Sequence, residues 1–328
     1  MRILCFHLNQ VGDLMFSLPA LRSIRDSFPD SHLTSVVRPG LAELLEATGL
    51  AHEVLTRDGG LNAAGVDLVR RVKQVRPDVA VVFSQSAECA LLAWLSGARR
   101  RLGFINTSLG VLLTSRADFH HPPSTANNLR LVETLGGRVT RGDYSGLMVP
   151  SLEQKERADC LLKSHGINVG DRIAALSPGV SARRNIKRWS EEGFASVGRH
   201  LVERGLRPVM IGTEPTTAIT DLCPDILDLG GRTSLGQAAA ILARSALLVA
   251  VDSGILHLGA AAGTKVVGLY GPSNPEVTGP QGEGHVVLRT GASCSPCMKT
   301  TCSLDRVCMT GLRTEDVVVA IDSVLAGG

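Results

Sequence analysis

Short apolar runs alternate with helix-patterned segments along almost the whole chain, and few folds accept that rhythm. In the first half, strand-like runs fall at Ile3–Leu8, Leu33–Val37, Val79–Ser84 and Arg101–Phe104. Helical patterns lie between them, at Leu18–Phe28, Leu61–Val75 and Cys89–Ser96. The second half repeats the scheme. Its strands are expected at Ile173–Ser177, Pro208–Gly212, Leu247–Asp252, Val266–Tyr270 and Val286–Leu288, with helices at Glu153–His165, Ser190–Arg204, Leu235–Arg244 and Ile255–Ala262. Strands rich in Val, Ile and Leu, with no polar alternation, are those buried on both faces. The fold class is therefore α/β, with parallel sheets covered by helices.

A chain of 328 residues exceeds the roughly 150 that one domain usually needs. The polar stretch 138–151, punctuated by Gly142, Gly146 and Pro150, is the natural break. Two doubly wound domains are expected, 1–150 and 151–328, and a ligand site is expected in a cleft between them. Composition excludes several classes. Aromatic residues make up 3% of the chain, too few for a nucleic-acid binder that stacks bases on aromatic platforms. The net charge of +3 demands no polyanionic partner. No apolar run is long enough to span a bilayer, and Met1–Phe6 opens directly on a strand-like run without a signal-peptide core. A cytoplasmic protein is expected, free to touch a membrane surface.

Four strand ends carry chemistry. After the first strand, Gly12 turns the chain and Asp13 opens a helix. An aspartate there serves either as a helix cap or as a base facing a hydroxyl nucleophile. After the strand ending at Ser177, Pro178 and Gly179 let backbone approach a ligand, and Lys187 follows within reach of a diphosphate. At the next strand end, Gly212 and Glu214 suit ribose hydroxyls, or Glu214 is simply an acid favoured by a helix N-terminus. The fourth end is Asp252-Ser253-Gly254, with His257 one turn into the following helix. Ligands of open parallel sheets bind at the carboxyl ends of strands, and helix N-termini favour anions. This end therefore reads as a phosphate pocket, rimmed by the turn Gly271–Pro275. The clusters Arg99–Arg101 and Arg183–Arg184 are either solvated surface or contacts to an anionic partner.

Of eight cysteines, Cys5, Cys89, Cys160 and Cys223 are scattered. Cys294, Cys297, Cys302 and Cys308 form a C-x2-C-x4-C-x5-C array. Thiolates at that spacing suit structural zinc or iron, and equally a reduced thiol-rich loop.

Taken in order, Gly12-Asp13 with Pro19-Ala20-Leu21, then Asp252-Ser253-Gly254-x-x-His257-Leu258 with Gly263 and Tyr270-Gly271-Pro272, resemble glycosyltransferase family 9, the bacterial heptosyltransferases of lipopolysaccharide inner core. The resemblance covers nearly the whole chain. It implies the GT-B fold, two Rossmann-like domains with the active site between them. It also implies that Asp13 is the general base and that Lys187 contacts the donor diphosphate. Ser253 and Gly254 would hold phosphates, Asp252 and His257 would lie by the donor sugar and diphosphate, and Glu214 would bind ribose. Around Pro215-Thr216-Thr217 this chain is less acidic than its relatives. Similar cysteine arrays occur in some members, and an iron-binding four-cysteine motif is known among the protein-heptosylating ones.

The expected activity is inverting, metal-independent transfer of heptose from ADP-heptose to a hydroxyl of the Kdo/heptose-lipid A core at the inner leaflet. Arg99, Arg101 and Arg183 would meet acceptor anions. No cofactor is expected for the chemistry, and no nucleic-acid partner. The alternatives are a GT-B enzyme using another nucleotide sugar or a protein acceptor, a sugar-nucleotide epimerase or hydrolase, and a non-enzymatic nucleotide- or metal-binding module.

Overall fold

A computed structural model describes residues 1–7, 10–57, 63–120, 124–180 and 182–327, without the side chains of 63–65 and 182–183. Leu8, Leu61 and Asn62, assigned above to predicted segments, fall outside the described residues. The chain divides into two units, Met1–Leu147 and Met148–Gly328.

Unit 1 runs β1 (Arg2–Phe6), α1 (Val11–Ser27), β2 (His32–Val37), α2 (Pro39–Ala47), β3 (Glu53–Thr56), α3 (Ala63–Gln74), β4 (Val79–Val82), α4 (Ala87–Leu95), β5 (Arg100–Phe104), β6 (Ser115–Ala117) and α5 (Ser124–Leu135). Its strands form one parallel sheet in the order β3-β2-β1-β4-β5-β6. Ile3, Leu4, Cys5 and Phe6 of β1 are fully buried, as a central parallel strand requires. The helix predicted from Leu18 begins at Val11 and carries Pro19 in its interior. A proline there removes one ladder bond and crowds the preceding turn. The Asn128 side chain, from α5, donates to Phe16 O in that turn at 2.9 Å and ties α5 to it.

Unit 2 runs α6 (Leu152–Ser164), β7 (Ile173–Ser177), α7 (Glu191–Glu203), β8 (Arg207–Met210), α8 (Thr217–Leu222), β9 (Leu227–Asp228), α9 (Leu235–Arg244), β10 (Leu248–Val251), α10 (Gly254–Ala261), β11 (Val266–Leu269), α11 (Pro275–Thr278), β12 (Val286–Leu288), α12 (Val307–Thr310) and α13 (Thr314–Ala326). The sheet is again parallel, in the order β12-β11-β10-β7-β8-β9. Ser151 with Gln154, and Ser234 with Gln237, close reciprocal capping boxes on α6 and α9. Two sheets of one design, each with its strand ends on a single edge, set up the sites described next. Among the described residues, no helix is long and apolar enough to cross a membrane.

Candidate active site

In unit 2 the carboxyl ends of β7, β8 and β10 converge on a polar cluster. Asp252 follows β10 directly and is 7% exposed. Its Oδ2 lies 2.5 Å from Lys187 Nζ, and its Oδ1 lies 3.7 Å from His257 Nε2. Burial alone would raise the Asp252 carboxyl. The His257 hydrogen bond and the Lys187 charge outweigh burial and hold it well below the usual carboxylate range. Asp252 therefore stays an anion, paired with Lys187.

Around that pair stand donors with nothing to donate to. Ser253 is the N-cap residue of α10, yet its side chain makes no capping bond. Its Oγ is buried without a hydrogen-bond partner, and so is the Oγ of fully buried Ser177. Ser177 sits one strand over, paired in register with Ala250. Buried hydroxyls left unpaired cost on the order of 1–3 kcal/mol each. A ligand with several acceptor oxygens at the α10 N-terminus would satisfy both. Gly254 opens that helix and keeps its backbone partly exposed.

Lys187 ends a 3₁₀ segment, Ala182–Lys187, two residues before Trp189. The Trp189 indole is buried, meets Phe194 edge to face, and donates from Nε1 to Leu312 O at 3.0 Å. Beside it, Pro178, Gly179, Arg188, Trp189, Thr213 and Glu214 line a hollow of about 110 Å³. Glu214 is exposed on its rim. The Glu214 loop is held from below by Asp228, which the sequence reading did not single out. Its carboxylate accepts from Thr216 N and Gly230 N, both at 2.7 Å. At Gly230 a Cβ would lie 2.2 Å from Glu214 O, so only glycine lets the two backbones meet there. Gly212 ends the turn after β8 and accepts from Gly231 N at 2.9 Å.

The four-cysteine loop grips both sides of this cluster. Ser295 Oγ donates to Gly271 O at 2.5 Å, and the N–H groups of Cys297 and Met298 donate to Pro272 O. On the other side, Arg306 donates to Arg188 O at 3.2 Å. Cys308 is buried and Cys302 exposed. Burial, then the neighbouring Cys294 and Cys297, push the Cys308 thiol up. Among the described residues, however, no three His, Cys, Asp or Glu side chains are arranged to hold a metal ion. As placed, the four thiols do not form a ligand set.

In unit 1, Gln10 is the N-cap of α1, without a side-chain bond, and Asp13 stands in the first turn, partly exposed. Asp13 is thus the third residue of the helix and not its N-cap. Near it is a buried network that sequence reasoning missed. His7 follows β1, with Nδ1 2.9 Å from Ser17 Oγ and Nε2 3.3 Å from Ser35 Oγ. Ser17 donates its only hydroxyl proton to Leu14 O, at 2.7 Å. The proton of the His7–Ser17 bond therefore sits on Nδ1, and Nε2 accepts from Ser35. Burial first, and then the Arg57 charge, push His7 down to about 3, so the ring is neutral. Arg57, buried after β3, bonds Glu88 at 2.7 Å and His7 O at 3.4 Å. The only sequence signal was position, since His7 and Arg57 each directly follow a strand.

Of the predicted acceptor arginines, Arg99 and Arg101 lie apart from the His7–Arg57 network within unit 1. Arg99 precedes β5 and Arg101 lies near its start, at the amino-terminal edge of a parallel sheet whose carboxyl edge carries His7 and Arg57. Arg101 is also committed to Ala98 O and Leu112 O. The Arg183 side chain lies outside the described residues.

The sequence model of "Glycosyltransferase family 9 (heptosyltransferase)" matches residues 66–308. The chain belongs to glycosyltransferase family 9. It is a glycosyltransferase, with the GT-B fold of that family. It is 24% identical to lipopolysaccharide heptosyltransferase 2 of Escherichia coli strain K12, over 88% of each chain. The crystal structure of a glycosyl transferase family 9 protein from Veillonella parvula superposes with a TM-score of 0.84 at 25% identity, over 100% of this chain and 97% of that one. The E. coli ADP-heptose lps heptosyltransferase II structure gives a TM-score of 0.82 at 21% identity, over 100% and 99%.

Proposed function

We propose that this glycosyltransferase moves heptose from ADP-heptose, with inversion, to a hydroxyl of the Kdo/heptose-lipid A inner core. The observation that carries the donor half is the cluster at α10. One cation, a helix N-terminus and two unpaired buried hydroxyls meet there at the carboxyl ends of adjacent strands. That set suits a diphosphate. The neighbouring hollow, with Glu214 on its rim, is assigned to the nucleoside, Gly179 and Gly212 to its backbone approach, and Ser177 and Gly254 to the diphosphate beside Ser253. Names of relatives at 24% identity supply the sugar and the acceptor.

Asp13 takes the proton of the acceptor hydroxyl as its oxygen bonds to the sugar's anomeric carbon. The bond from that carbon to the β-phosphate oxygen breaks, and its electron pair leaves with the nucleoside diphosphate. Lys187, Ser253 and the α10 N–H groups receive the growing charge. His257 holds Asp252, and both lie on the sugar side of the diphosphate. For transfer, the hydroxyl activated by unit 1 must reach the sugar bound by unit 2. The acceptor implies work at the cytoplasmic face of the inner membrane, by peripheral contact. A structural zinc or iron at Cys294, Cys297, Cys302 and Cys308 would require residues 294–308 to tighten, and elemental analysis of untagged protein reads it directly.

The test is calorimetric titration with ADP and UDP, followed by an ADP-heptose transfer assay on truncated core acceptors. ADP is expected to bind and UDP to fail. Asp13→Ala is expected to keep ADP binding while transfer falls by about 10²–10⁴-fold, the usual worth of a general base. Full transfer by Asp13→Ala would overturn the assignment.

A further inference from the structure

The Lys187–Asp252 contact poses a problem for any anionic ligand. Lys187 is already paired, at 2.5 Å, with a carboxylate that is itself 7% exposed. A diphosphate reaching Lys187 must share it with Asp252. The remaining donors around it, Ser177 Oγ, Ser253 Oγ and the α10 N–H groups, are neutral. The Lys187–Asp252 pair therefore contributes almost no net charge before any ligand arrives.

This matters because substrate and product differ in charge at one position. In a nucleoside diphosphate sugar the terminal phosphate is esterified and carries one negative charge. In the released diphosphate it is a monoester with a second ionisation near pH 6, so it carries nearly two at neutral pH. We propose that Asp252 is a charge discriminator: its fixed carboxylate beside Lys187 disfavours the extra charge of the free nucleoside diphosphate, so that the site prefers the sugar-bearing donor and expels the product. The inference rests on the donor-site reading above. At separations of about 4–6 Å and an effective dielectric near 20, one added like charge changes affinity by about tenfold or more.

Three roles for Asp252 give different signs. A charge discriminator predicts that Asp252→Asn, which keeps the shape, binds ADP about tenfold tighter while ADP-heptose changes much less. A carboxylate that only holds sugar hydroxyls predicts weaker ADP-heptose and unchanged ADP. A purely structural carboxylate predicts that both weaken together. The measurement is titration calorimetry of native protein and Asp252→Asn with both ligands. A second comparison needs no variant: the β-methyl ester of ADP, which lacks the second charge, should bind native protein about tenfold tighter than ADP. Equal affinity of ADP and its ester for native protein overturns the proposal, as does an Asp252→Asn variant that binds ADP no tighter. Lys187→Met separates the two readings. If ADP binds that variant as well as native protein, the donor-site assignment is wrong. If ADP is lost there but the ester shows no advantage, only the discriminator fails.

Discussion

The buried His7 network makes stability depend on pH in a way that one substitution should remove. In the folded chain His7 titrates near 3, against an ordinary value of 6.5. Between those values the unfolded chain binds one proton more than the folded chain, so stability rises with pH and is lost as pH falls below 6.5. At pH 5 the deficit is one and a half pH units at about 1.4 kcal/mol each, or about 2 kcal/mol relative to pH 8. That figure holds for any folded value well below 5, because only the unfolded chain titrates in the window. His7→Gln keeps a donor towards Ser17 and an acceptor for Ser35 but cannot titrate. Its stability penalty should therefore shrink by about 2 kcal/mol between pH 8 and pH 5, because carboxylates common to both proteins cancel. Trp94 lies in α4 and Trp189 is the second of the chain's two tryptophans, so a Trp189→Phe background leaves one reporter, placed in unit 1. Urea unfolding followed by Trp94 emission measures the difference. A penalty of the same size at both pH values would refute the neutral, doubly bonded histidine.

The Glu214 loop offers a second test: Gly230→Ala places a Cβ 2.2 Å from Glu214 O, and overpacking of this kind costs about 1–3 kcal/mol. Weaker ADP binding by calorimetry should accompany a lower melting temperature, with Asp13-side chemistry unaffected. Trp189→Phe strands Leu312 O and should cost about 1–2 kcal/mol in unit 2, read by thermal unfolding and by a matching loss of ADP affinity through Lys187.

How much of this was legible beforehand depends on whether the signal was local. The central strands announced themselves as unbroken apolar runs, because both their faces are buried. Strands β3, β6 and β9 did not, since they are 4, 3 and 2 residues long and only partly buried. The start of α1 was legible to within two residues from Gly12 and Asp13, whereas the bond from Asn128 to Phe16 O, more than a hundred positions away, was not. Asp252, Ser253 and His257 were found because they lie within six residues. The Lys187–Asp252 contact was not, since it spans 65 positions and depends on where Trp189 anchors the chain. Arg99 and Arg101 show the limit of reading charge alone. Charge is visible in sequence, but which end of a strand it occupies matters only once the sheet is known to be parallel.

The loop 294–308 holds Gly271 and Pro272 with one hand and Arg188 with the other. It ties the turn after β11 to the segment that carries Lys187, like a bracket screwed to both jambs of a door. Substitutions inside it are therefore constrained together with those of the nucleotide pocket, although none of its residues is assigned a ligand there. A graft that exchanged only the strand ends between two such enzymes would inherit a misfitted frame. Exchanging the cysteine segment along with them should carry the specificity across intact.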